Sequence, residues 1–263
     1  MKAGIIGCGF IGSEIAQFLD NEDSFELIGL NDIDEIKAEE LGKKLENNKP
    51  KFMDINEIIK KSDLIVESAA KNVIGTILKN KNLDKENKKL LIMSTGGFIR
   101  NIDILKKIKH CEILLPSGAI AGLDAIKSVS GRIKSLTLTT TKQIASLQGA
   151  PYIISRKIDL TKLRSKKIIF EGSLKDAIEG FPQNINVAAT LFLASKFKNI
   201  KVKIAADPDT KFNTHEIEAA GDFGVISIKT QNLPSKNPKT SYLAVLSAIQ
   251  SIKNLKNKIK VGN

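Results

Sequence analysis

Residues 4–13 read GIIGCGFIGS and set Gly7, Gly9 and Gly12 at the spacing G-x-G-x-x-G. Where such a run ends a strand and opens a helix, the first glycine allows the tight turn and the second lets backbone approach a pyrophosphate. The third lets helix and strand pack closely. Amides at the helix start, helped by the helix dipole, then favour phosphate oxygens. Gly7, Gly9 and Gly12, with Phe10 and Ile11 between the last two, are therefore candidate cofactor-binding residues. Asp32 follows Gly12 by 20 residues, at the end of the next apolar run. A carboxylate there accepts both ribose hydroxyls and repels a 2′-phosphate, which selects NAD, with NADP as the alternative. Asp34 competes for the same task.

Two further loops follow strand-like runs, Glu67-Ser68-Ala69-Ala70 and Ser94-Thr95-Gly96-Gly97. Ligands of open α/β sheets bind at that edge, and small residues such as Ser68 and Ala69 leave room for the nicotinamide half; plain turn chemistry is the alternative. The sequence carries no G-x-S-x-G elbow, no P-loop lysine motif and no Cys–His pair. A dinucleotide fold without these parts points to hydride transfer, with the cofactor as the reagent. His215, in KFNTHEI, stands among polar residues at the start of a strand. There it is expected to titrate near neutrality and to move a proton to or from an amine, imine or water; a surface histidine without a role is the alternative. His110 lies between a lysine-rich helix and a buried strand and is assigned no role.

The elements that must position these residues alternate up to about residue 115. Strand-like Lys2–Ile6 is followed by a helix through Ile11, Ile15, Phe18 and Leu19. Next come the strand Phe25–Leu30, the helix Ile36–Leu45, and a short helix in DINEIIKKSD capped by Asp54. The strand Leu64–Val66, a helix near Val73–Leu78, the strand Leu90–Met93, the helix Ile102–Ile108 and the strand Ile113–Leu115 complete the series. Such alternation predicts a doubly wound parallel sheet of the Rossmann kind. After PSGAIAGLDA the pattern changes. RIKSLTLTTTK at 132–142, Lys201–Ala205, Glu216–Ala220 and Val225–Thr230 read as strands, and Asn186–Phe197 as one long helix. The fold class expected is α/β, with a second α+β catalytic domain on a mostly antiparallel sheet. Tyr242–Leu255 is a helix that this second sheet does not need. It is expected to return to the first domain through Leu243, Val245, Leu246 and Ile249. The domains expected are thus 1–115 completed by 238–263, and 116–237.

Composition narrows the function classes. The chain has 263 residues, 42% of them apolar, and no apolar run approaches the roughly 20 residues that span a bilayer. MKAGIIGCGFIG reads as a first strand rather than a leader, so a cytoplasmic protein without a membrane partner is expected. Two cysteines, Cys8 and Cys111, fit a reducing compartment, and two distant histidines offer no metal cluster. The formal charge of +12 comes from lysines scattered over many segments, with two tyrosines and no tryptophan to stack bases. Solvated helix faces explain it better than nucleic acid, although a positive field helps to gather anionic ligands.

The order of motifs resembles the L-aspartate dehydrogenases over nearly the whole chain. The segments that carry the likeness are GIIGCGFIG at 4–12, MSTGGF at 93–98, LLPSGAIAGLDAI at 114–126 and FEGSLKDAIEGFPQNINVAATLFLA at 170–194. NTHEI at 213–217, GDFG at 221–224 and NPKTSYLAVLSAI at 237–249 complete it. The resemblance implies a Rossmann domain joined to a catalytic domain related to homoserine dehydrogenase and dihydrodipicolinate reductase. It implies that Gly7, Gly9, Gly12 and Asp32 hold the adenosine diphosphate half of NAD, and that Ala121 and Asn186 stand near the nicotinamide, with Asn184 the alternative to Asn186. His215 matches the family's catalytic histidine. Thr141-Lys142 stands where related chains have a basic residue after a strand, though TTTKQIASL departs from the family pattern. The reaction implied is oxidation of L-aspartate to iminoaspartate, which hydrolyses to oxaloacetate and ammonia or passes to quinolinate synthase for NAD biosynthesis. A homodimer is expected. Competing readings are a homoserine dehydrogenase or dihydrodipicolinate reductase-like enzyme, and a non-catalytic NAD-sensing protein.

Overall fold

The apolar pentapeptide Lys2–Ile6 forms strand β1, and four of its five residues are buried because strands lie on both sides of it. The computed structural model describes residues 1–69, 73–99, 101–182, 185–235, 241–259 and 261. Backbone contacts divide the chain into two units, Met1–Pro116 with Ser247–Lys256, and Ser117–Leu246 with the residues from Asn257 onward.

In the first unit, β1 is joined by β2 (Glu26–Asn31), β3 (Lys51–Phe52), β4 (Leu64–Glu67), β5 (Lys89–Ile92) and β6 (Glu112–Leu114) in the order β3-β2-β1-β4-β5-β6. Every pair is parallel. The order reverses between β1 and β4, which opens a crevice beyond their carboxyl ends, the usual ligand position in such sheets. The helices are α1 (Phe10–Asp20), α2 (Glu35–Lys44), α3 (Ile55–Lys61), α4 (Val73–Leu78), α5 (Thr95–Ile99) and α6 (Ile102–Leu105). Asp54 caps α3 by accepting from Glu57 N at 2.8 Å. Two features differ from the sequence reading. β3 is only two exposed residues long, too short to leave a pattern. Thr95, Gly96 and Gly97 open helix α5 instead of forming an irregular loop.

The second unit holds α7 (Leu123–Ser128), β7 (Ile133–Lys142), α8 (Pro151–Ser155), β8 (Lys167–Ser173), α9 (Leu174–Gly180), α10 (Asn186–Ser195), β9 (Lys201–Ala206), β10 (Asn213–Gly221) and β11 (Gly224–Asn232). The strands form one sheet in the order β11-β10-β7-β9-β8, antiparallel except for the β7–β9 pair. Alternation along β7 and β10 buries Leu136, Leu138, Ile217 and Ala219 on one face, with Val202 and Ile204 of β9 beside them. The opposite face is laced by half-exposed ion pairs around Glu216 and Glu171. β8 escaped the sequence reading because lysines flank it and Ile168 is exposed, as on many edge strands.

The last helix, α11 (Tyr242–Asn254), crosses the division between the units. Ala248 and Ile252 are fully buried in the first unit's core, with Ile249 and Leu255 packed against it. Lys253 Nζ lies 5.3 Å from the centre of the Phe18 ring. Of the four residues expected to make this contact, Ile249 packs against that core and Leu246 is exposed. The apolar stripe runs through residues 248, 252 and 255, and the sequence reading passed over the small side chain of Ala248.

Candidate active site

Gly7 follows β1 at φ +100°, and its N–H donates to Asn31 O at 2.7 Å. A Cβ at Gly7 would lie 2.5 Å from Ala69 N, and one at Gly12 would lie 1.9 Å from Gly7 O. Only glycine fits either place. At Gly9 a Cβ would meet nothing within 4 Å, so this glycine faces open space where a ligand's phosphates can approach backbone. Gly9 is also the N-cap of α1; no side chain caps the helix, and its first turn has no acidic residue. The cradle therefore fits a pyrophosphate. Phe10 and Ile11 form the first turn of α1 beside it.

Asp32 is tied to this loop: its Oδ2 accepts from Cys8 N at 2.7 Å and its Oδ1 from Asp34 N at 3.0 Å. Asp34 instead directs its carboxylate to Lys37 of its own helix at 3.5 Å. The geometry favours Asp32 as the ribose carboxylate. Burial, and then the Asp32 charge, push the Cys8 thiol up to about 12, which keeps it inert. Ser68 Oγ donates to Gly7 O at 2.7 Å, so Ser68 and Ala69 close the cradle from the β4 side. Ala70 lies outside the described residues.

The sequence reading named Glu67 only as the start of a loop and did not foresee its burial. Glu67 ends β4 with no exposed surface. Its Oε1 accepts from Ala69 N at 2.9 Å, and its Oε2 accepts from Ser94 Oγ at 2.7 Å and Ser94 N at 3.1 Å. It thus ties together the loops after β4 and β5. Burial raises its carboxyl to about 7, against the pull of these hydrogen bonds. The signal available was an acid closing the apolar run Leu-Ile-Val, just before small residues.

In the second unit His215 is the third residue of β10, opposite Thr140 of β7 and Thr230 of β11. It is only 3% exposed. Here the structure corrects the expectation of a polar, near-neutral histidine. The ring lies on the buried face of the sheet, and burial, then the Lys142 charge, push it down to about 3. The imidazole is neutral at physiological pH. Its Nδ1 lies 3.0 Å from Thr140 Oγ1, while Nε2 makes no hydrogen bond to a described residue. In the tautomer whose Nδ1–H donates to Thr140, Nε2 carries the lone pair and is a base.

Lys142 ends β7 and is 5% exposed; burial lowers it to about 8. Its Nζ has no hydrogen-bond or ion-pair partner among the described residues. Ala121 belongs to a loop pinned to the same sheet: Thr230 Oγ1 and Asn232 Nδ2 both donate to Ala119 O, at 3.1 and 2.8 Å. Gly118 and Gly122, both at positive φ, bend that loop. Thr230 Oγ1 also lies 3.4 Å from His215 O, so the loop and the histidine share one anchor. Asn186 is exposed at the start of α10 and is not hydrogen-bonded to His215; Asn184 lies outside the described residues.

The comparisons with known proteins divide in the same way as these sites. Residues 124–255 match the family model described as aspartate dehydrogenase, C-terminal. Residues 7–110 match the model described as homoserine dehydrogenase, NAD binding domain. The L-aspartate dehydrogenase of Methanosarcina acetivorans is 43% identical, with 100% of this chain and 99% of that protein covered. The Methanosarcina mazei enzyme of the same name is 42% identical at the same coverage. A crystal structure of aspartate dehydrogenase from Thermotoga maritima superposes with a TM-score of 0.73 at 27% identity, covering 100% of this chain and 99% of that one.

Proposed function

The chain belongs to the aspartate dehydrogenase family, and we propose that it oxidises L-aspartate at Cα to iminoaspartate, with NAD held by the glycine cradle and Asp32. The observation that carries this reading is the pairing on one sheet face of a neutral, buried base, His215, with a buried cation that lacks an anion, Lys142. An amino dicarboxylate offers both groups a counterpart: an ammonium to deprotonate and carboxylates to bind.

When bound, NAD supplies the hydride acceptor. The rest of the work belongs to the chain. His215 Nε2 takes one proton from the substrate ammonium, which frees the nitrogen lone pair to form the C=N bond as Cα loses its hydride. Once that proton has passed to solvent, the same nitrogen can accept one from the water that attacks the imine, giving oxaloacetate and ammonia. In the reverse direction the imidazolium returns the proton. Thr140 fixes the ring through Nδ1, and on this reading Ala121, in the 117–122 loop anchored at Ala119, and Asn186 are the contacts to the nicotinamide end. Phe10, Ile11, Ser68 and Ala69 line the pyrophosphate and ribose side.

The same reading places the protein in the cytoplasm as a homodimer that hands part of its imine to quinolinate synthase. The lability of an imine in water supports such a hand-over. Cys8 and Cys111 are free thiols, and no helix among the described residues is long and apolar enough to cross a membrane. The match of residues 7–110 makes homoserine the competing substrate. Following NADH formation with L-aspartate and then homoserine decides between them: turnover of aspartate and not homoserine is expected, and the converse would overturn the reading.

A further inference from the structure

Glu67 is a buried acid that hydride transfer does not use. Carboxylates are almost never fully buried unless partners hold them. Asp20, buried at the end of α1, shows the usual outcome. N–H groups of Glu46, Asn47 and Asn48 donate to it and, against the cost of burial, hold it below the usual carboxylate range. Glu67 also accepts from backbone, yet burial outweighs those bonds and pushes it up to about 7. Every donor around it except the Ser94 hydroxyl is a backbone N–H.

Protonation costs this cluster a tie. A carboxylate accepts through both oxygens, whereas the neutral acid carries one O–H that must donate. On Oε1 the proton would face Ala69 N–H, itself a donor. On Oε2 it can donate to Ser94 Oγ, and Ser94 N–H is then left with a weak acceptor. Either choice loosens the loop after β4 or the loop after β5. The first of these packs directly on the glycine run. Ala69 N stands 2.5 Å from where a Cβ on Gly7 would lie, and Ser68 Oγ stands 2.7 Å from one on Gly12. A shift of this loop therefore shifts the amides that receive the pyrophosphate. Little else around Glu67 titrates. Its strand partners are Ile6 of β1 and Ile92 of β5, and α4 and α5 contain no ionisable residue. The glycine run brings Cys8, its thiol pushed up to about 12, and Asp32, which is bonded to Cys8 N. Glu14 and Asp20 of α1 are not bonded to Glu67. Lys71 lies outside the described residues.

We propose that Glu67 is a positioning residue whose ionised carboxylate latches the loop after β4 against the glycine cradle, so that NAD affinity falls as this carboxylate takes up a proton. The latch rests on the assignment of NAD to the cradle in the function proposed above, and adds control of its occupancy by pH. No covalent step is involved; NAD binding expels the Glu67 proton to solvent.

Calorimetric titration of the full-length protein with NAD, without aspartate, tests the latch. With NAD bound by the ionised form alone, Kd should rise about tenfold from pH 8 to pH 6. Binding at pH 7 should release about half a proton, read from heats in buffers of different ionisation enthalpy. Glu67→Gln is expected to bind NAD weakly and to lack both effects. Lys142, lowered by burial to about 8, adds the same slope to both proteins, so their difference reads Glu67. Ser94→Ala removes a donor to the charged form and should move the midpoint of the profile up by about one pH unit. It decides alone should Glu67→Gln fail to fold. A Kd that varies with pH equally in the wild type and Glu67→Gln, or a midpoint unmoved in Ser94→Ala, would overturn the latch and leave aspartate oxidation standing. The expected profiles in a protein unable to oxidise aspartate would overturn that function and keep the latch.

Discussion

Lys142→Met is expected to stabilise the ligand-free protein. The methionine nearly matches the lysine in length and volume but brings no charge into the sheet face. Burial lowers Lys142 from 10.5 to about 8. Each unit of that shift is worth 1.36 kcal/mol between the two protonation states, so the charged form costs the native protein about 3 kcal/mol. The sign follows from proton linkage. Between about pH 8 and 10.5 the unfolded chain holds this proton and the folded chain does not, so wild-type stability gains with pH in that window. Below pH 8 both states are charged and the full penalty is present; above 10.5 both are neutral and it is gone. The variant's advantage should be about 3 kcal/mol at pH 7, or roughly 6–12 °C in melting temperature, and should shrink towards zero at pH 10.5. Urea unfolding of both proteins at pH 7 and at pH 10, without NAD or carboxylates, measures the difference. An equal advantage at both pH values, or none at pH 7, would refute the argument that an unpaired buried charge is what the variant removes.

Asp32→Ala is expected to weaken NAD binding more than NADP binding, measured by fluorescence quenching; equal losses would take the ribose role away from Asp32. His215→Ala should lower turnover roughly 10²–10⁴-fold with NAD affinity unchanged, as for a positioned acid–base group. Turnover within a few-fold of the wild type would assign the proton to another residue. Glu67→Gln keeps the shape of the side chain but turns an amide NH₂ towards backbone donors, so NAD affinity should fall about tenfold or more. Because the Glu67 carboxyl is raised from 4.5 to about 7, its contribution to stability declines as pH rises through that window, and the glutamine variant should lose this slope.

The glycine cradle was legible in the sequence because its constraints are local. Gly7 and Gly12 cannot carry a side chain, and Asp32 follows at the distance that one helix and one strand impose. The environment of His215 was not legible. Its polar neighbours Thr214 and Glu216 alternate to the other face, while Thr140, which holds the ring nitrogen, lies 75 positions away on β7. The resemblance marked Lys142, but its burial was hidden for the same reason: a lysine after three threonines reads as a strand end in water, and only the sheet order shows β9 and β10 on either side of it. Glu67 likewise needed the Ser94 loop to show what its carboxylate holds.

The placement of a cation beside a neutral imidazole has a chemical consequence. Lys142 adds to the burial that keeps His215 unprotonated, so the ligand-free ring is a base ready for use but a weak one. An anionic substrate brought near Lys142 would offset that repulsion. That change would favour the imidazolium, so the ring would gain basicity while the substrate ammonium is present to give up its proton. An apolar residue in place of Lys142 would make the unit more stable, yet would remove this dependence of the base on bound substrate. The unpaired lysine is then an instance of stability given up at a working site, where the missing counter-charge arrives with the molecule being oxidised.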